Sequence, residues 1–236
     1  MMRRLEVCCG NLASVRAAAE GGADRVELCR ELELDGLTPS REMIREAVGI
    51  CRPAGVRVHV LIRSRAGNFV YDNAEVEQMA GDIRMALGEG ADGVVIGALT
   101  PGGGVDLGAC RRWMGLCRRA DGSLRCNVTF HRAFDVCRDP FVALEQICQL
   151  GCNRILTSGQ QPSAEAGVPL LRQLVERARQ LSAGAGRELT ILCGAGVNTQ
   201  NALSILNATG ATEIHGSLRT GAVSDVAKIK KITSLL

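Results

Sequence analysis

The chain has 236 residues, 46% apolar and 22% charged with 28 glycines, which is the make-up of a folded globular protein with one large domain or two small ones. Six aromatic residues and a formal net charge of +3 offer neither stacking platforms nor a basic face for nucleic acid, and no stretch reaches the ~20 apolar residues of a membrane span. Eleven cysteines, an odd number without repeated spacing, and an N-terminal stretch whose apolar run is broken by Glu6 and Asn11 predict reduced thiols in a cytoplasmic protein.

Strand-like apolar runs and helical periodicities alternate along the chain. Leu5–Cys8 precedes a helical Leu12–Glu20, Arg25–Cys29 precedes Ser40–Cys51, Arg57–Arg63 precedes Ala74–Leu87, and Gly93–Gly97 precedes Leu107–Arg118. The second half continues with Asn127–His131 and Phe141–Leu150, Arg154–Ser158 and Ala164–Leu181, Thr190–Cys193 and Thr199–Ala208, then Glu213–His215 and Ala222–Ile232. Eight βα units of about 30 residues predict an α/β fold, a single (β/α)8 TIM barrel over residues 1–236. A doubly wound open sheet is the alternative, but no GxGxxG follows the first strand.

An internal repeat supports the barrel. GADRVEL begins at Gly22, GADGVVIG at Gly90, GCNRILTS at Gly151 and GATEIHGS at Gly210, each ahead of an even-numbered strand. Each glycine follows a helical pattern, so a left-handed residue closing the helix is expected there. The three lysines, Lys228, Lys230 and Lys231, cluster at the C-terminal end, which argues against Schiff-base or pyridoxal-phosphate chemistry in a barrel mouth.

In such a barrel the strand C-termini and the loops after them form the functional face. Strand alternation groups Glu6 with Cys8 and Glu27 with Cys29 at the ends of neighbouring strands, which lie about 4.8 Å apart. Two thiolates at that spacing suit a soft ion such as Cu(I), whereas a four-ligand zinc site lacks partners. Arg63, His131 and His215 end their strands similarly. Glu6, Glu27, Arg63 and His131 are expected to form an interior polar network, because an unpaired charge there is costly. The glycine-rich loops CGAGVNTQN and HGSLRTGA lead towards helices, so Gly194, Gly196, Gly216 and Ser217 are candidate anion-binding residues.

LEVCC, GGADRVELC, HVLIRSRAGNFVY, GADGVVIGALTPGG, VTFHRAFD, RILTSGQQPSA and ATEIHGS occur in an order and spacing that resembles the CutC family over nearly the whole chain. The resemblance implies a cytoplasmic TIM-barrel homo-oligomer with a part in copper homeostasis. It also implies that Cys8 and Cys29 are the Cu(I)-binding pair, with Glu27, Arg63, His131 and His215 as interior polar residues. Ser64, Ala66 and Asn68 depart from the family's usual IRPRGGDF motif, and RELELDG replaces a small glycine-containing stretch after strand 2.

Two functions are therefore expected in competition. In one, Cys8 and Cys29 hold copper, while alternation turns Cys9 away. In the other, the barrel is an enzyme for a small anionic or phosphorylated metabolite, with His131 as general acid or base, Glu27 as its partner and Arg63 on the anion.

Overall fold

A computed structural model describes residues 3–185 and 188–236. In chain order the barrel elements are β1 (Arg4–Cys9), α1 (Leu12–Glu20), β2 (Arg25–Leu28), α2 (Arg41–Cys51), β3 (Arg57–Leu61), α3 (Asn73–Gly88), β4 (Gly93–Ile96) and α4 (Leu107–Leu116). They continue with β5 (Asn127–Phe130), α5 (Pro140–Leu150), β6 (Arg154–Thr157), α6 (Val168–Ala185), β7 (Thr190–Cys193), α7 (Ala202–Thr209) and β8 (Glu213–Gly216). A short hairpin, β9 (Arg219–Thr220) and β10 (Val223–Ser224), precedes α8 (Val226–Thr233). Strands β1 to β8 pair in parallel in sequence order, and β8 closes onto β1. This is the TIM barrel that the alternating pattern predicts.

Period-2 alternation divides each strand between two environments. Val7, Val26, Val58, Val94, Val128, Ile155, Ile191 and Ile214 belong to the apolar layer shared with the helices. The alternate positions point to the barrel axis and are unusually polar. Glu6, Arg25, Glu27, His59, Arg154, Glu213 and His215 are all buried there.

The repeat glycines have the expected left-handed backbone, with φ of 78° at Gly22, 91° at Gly90, 90° at Gly151 and 73° at Gly210. The residue two positions later ties three of the repeats to the preceding strand. Asp24 accepts a hydrogen bond from the backbone N–H of Leu5 (2.9 Å), Asp92 from Val58 (2.8 Å) and Asn153 from Val128 (2.8 Å).

Three helices start later than their periodicity predicts. Residues before α6 form turns in which Ala166 N–H donates to the Ser163 hydroxyl and Ala164 N–H to the Ala195 carbonyl. Ahead of α7, Asn198 holds a turn by accepting from Gln200 N–H at 2.8 Å. The β9–β10 hairpin takes the chain up to Asp225, whose carboxylate caps α8 at the N–H groups of Ala227 and Lys228. The helix starts after β7 and β8 are thus set away from the glycine-rich loops themselves.

Candidate functional site

The C-terminal ends of the strands enclose a cavity of about 410 Å³. Cys8, Glu27, Arg63, His131 and His215 line it, together with Leu61, Phe69 and Leu156. Gly196, Gly216 and Ser217 also reach the cavity. Gly194 lies beneath it, where a Cβ would sit 2.6 Å from Leu156 and 3.3 Å from His215, so its missing side chain makes room for that imidazole.

The strand register brings the two candidate thiols together. Cys8 pairs with Glu27, and the ladder extends one step beyond β2, with Cys29 N–H donating to the Cys9 carbonyl at 3.0 Å. The Cys8 and Cys29 Sγ atoms are 4.0 Å apart, in an apolar setting shared with Leu61 and Val95. Contact with Cys29, reinforced by burial, pushes the Cys8 thiol well above its ordinary pKa. Cys9 faces the helix layer, as alternation predicts, and its Sγ contacts the Val7 carbonyl.

Arg63 closes the loops over this pair. Its Nη1 donates to the carbonyls of Leu34 (2.8 Å) and Gly36 (3.1 Å), and Nη2 to that of Gly67 (3.0 Å). Gly36 has φ of 83°, and a Cβ there would lie 3.3 Å from Cys29 Sγ. The segment after β2 therefore lies directly against the thiol.

His215 sits between two carboxylates, with Nδ1 2.8 Å from Glu6 and Nε2 3.5 Å from Glu27. Burial opposes its charge, yet Glu27, Cys8 and Glu6 together raise its pKa well above the ordinary value. Burial raises the Glu27 pKa despite the opposing pull of His215. Burial would raise Glu6 as well, but Arg25 and His215 hold it well below the usual carboxylate range. Beneath them, Arg25 contacts both Glu6 and Glu213, and Arg154 Nε donates to Glu213 at 2.6 Å.

The pairing expected from the sequence is thereby corrected. Glu27 faces His215 rather than His131, and Arg63 holds backbone carbonyls rather than Glu6 or Glu27, because the strand register sets Arg25 and His215 against the acids. His131 stands apart, with Nδ1 accepting from Ala133 N–H at 3.1 Å and its ring 5.0 Å from Phe69. Burial, helped by the Arg63 charge, pushes its pKa down to about 3. Arg25, Arg154 and Glu213 begin their strands and His59 lies mid-strand, away from the strand ends that mark the mouth. Period 2 places Arg25, two residues before Glu27, and His59, four before Arg63, on the interior face.

Cys8, Glu27 and His215 offer ligand atoms within 4.8 Å of one another, a second set able to surround an ion. His215 already has both nitrogens against carboxylates, so the thiol pair is the donor set better suited to a soft monovalent ion.

A parallel eight-stranded barrel with a thiol, two imidazoles and a carboxylate gathered in its C-terminal mouth defines the class: a TIM-barrel protein with an ionisable pocket. The chain belongs to the CutC family, whose sequence profile matches residues 3–220. A CutC protein of Pasteurella multocida is 46% identical over 212 residues, covering 90% of this chain and 80% of the relative. A human relative described as a copper homeostasis protein cutC homolog is 42% identical over 216 residues, covering 92% of this chain and 73% of its own. The crystal structure of a CutC protein from Streptococcus agalactiae superimposes with a TM-score of 0.82 at 32% identity, covering 92% of this chain and 99% of that one.

Proposed function

We propose that this protein serves copper homeostasis by holding one Cu(I) ion between Cys8 and Cys29. The observation that carries this reading is the 4.0 Å separation of two buried sulfurs, of which Cys8 lines the cavity. Two metal–sulfur bonds of about 2.3 Å, the zinc value, span at most about 4.6 Å, so an ion fits between them with little movement. Soft sulfur donors select a soft ion, and Leu61 and Val95 pack against the pair on its apolar side. The description of the human relative as a copper homeostasis protein supports the same reading.

Binding requires both thiols to lose their protons. The contact with Cys29 and the burial that hold the Cys8 proton make this harder, so apparent Cu(I) affinity rises with pH. The reading assigns the protein to the cytoplasm, where its thiols stay reduced, as a homo-oligomer. Anaerobic titration against a chromophoric Cu(I) chelator tests it. The wild-type protein is expected to retain one equivalent that Cys8→Ser/Cys29→Ser loses, and unchanged stoichiometry and affinity in the double variant would overturn the assignment.

A further inference from the structure

Among the described residues three arginines are buried, Arg25, Arg63 and Arg154, and their surroundings differ. Arg25 and Arg154 are ion-paired with Glu6 and Glu213. Arg63, only 3% exposed, meets backbone carbonyls and the face of Phe69, 5.1 Å from its guanidinium carbon, and no described carboxylate lies within ion-pair distance. Buried charges are normally paired, and this guanidinium reaches the cavity wall without an ion-pair partner, in a mouth that Glu27, Asp35 and Asp135 also line.

His131 lines the same wall and is 4% exposed. Its Nδ1 lone pair is engaged by Ala133 N–H, which places the ring proton on Nε2. The Nδ1–Cε1 edge is seated on Gly97, where a Cβ would come within 2.5 Å of Cε1. Nε2 is buried without a hydrogen-bond partner. The result is a rigid neutral N–H donor beside an unpaired cation, with Phe69 packed against both.

We propose that this wall of the mouth binds a small organic oxyanion, with one oxygen accepting from His131 Nε2–H and its negative charge facing Arg63. The cavity volume of about 410 Å³ suits a metabolite rather than a bare ion. His131 then acts as a hydrogen-bond donor that orients or polarises the ligand oxygen, not as a base, since its other nitrogen is already occupied. This site needs neither thiol, so it stands or falls separately from copper binding.

The test uses metal-free protein with 15N-labelled histidine, titrated separately with inorganic phosphate and with succinate. The expected result is a saturable shift of the His131 Nε2–H signal with at least one probe, the responding probe identifying the ligand as phosphate or carboxylate. His131→Phe, which keeps a ring on Gly97 but removes the donor, is expected to weaken binding by calorimetry at least tenfold. Failure of both probes to move the signal at millimolar concentration overturns the proposal, as does equal binding by wild type and His131→Phe. Should His131→Phe not fold, the wild-type titration decides.

Discussion

The three histidines show how neighbours set the task of a buried imidazole. His215 lies against two carboxylates and gains a proton readily, whereas burial and the Arg25 charge push the His59 pKa well down. Burial and Arg63 lower His131 to about 3. Between that value and the ordinary 6.5, the unfolded chain binds a proton at this residue that the folded protein refuses. The stability His131 allows is therefore intact above about pH 6.5 and is lost as pH falls, with a slope of up to about 1.4 kcal/mol per pH unit. Urea unfolding of His131→Phe between about pH 4 and 6 should show a slope shallower by up to that amount, and an identical slope would mean the imidazole is protonated in the fold. Gly97→Ala places a Cβ 2.5 Å from the same ring and should destabilise by about 1–3 kcal/mol, read from the urea midpoint. At this scale period 2 and strand ends suffice to place Cys8, Arg63 and His131 beside the cavity and Cys29 beside Cys8. It does not reveal that Glu27 meets His215, since that contact depends on where β8 closes against β1.

Strand pairing turns individual charges into a floor for the mouth. Glu6 on β1, Arg25 on β2 and Glu213 on β8 converge because Glu6 is in register with both Arg25 and His215. Arg25→Met removes the cation shared by two buried carboxylates and should cost about 3–5 kcal/mol in urea unfolding. A loss below about 1 kcal/mol would show that the carboxylates are relieved by protonation or by solvent. Elements differ in how plainly they are written in the chain. Helix α1 has its predicted bounds, with Asn11 as N-cap accepting from Ser14 N–H, while α8 begins four residues late because 219–224 form a hairpin. Helical periodicity cannot see a two-residue strand pair, and a polar turn such as that at Asn198 reads like a first helical turn.

For the whole molecule, eight alternating units and four repeat glycines make the closed barrel legible in the sequence. Fold alone does not determine chemistry, because the same barrel supports many activities at its mouth. Here the mouth has two walls of different character: a thiol pair covered by the segment after β2, and an imidazole–guanidinium wall facing the cavity. The copper ion proposed above would sit at the first and the proposed oxyanion at the second. X-ray absorption spectroscopy at the copper edge, on protein loaded anaerobically with one equivalent of Cu(I), tests the copper assignment most directly. Two sulfur scatterers and no imidazole contribution are expected, and a shell of nitrogen or oxygen neighbours without sulfur would contradict Cys8 and Cys29 as the ligands.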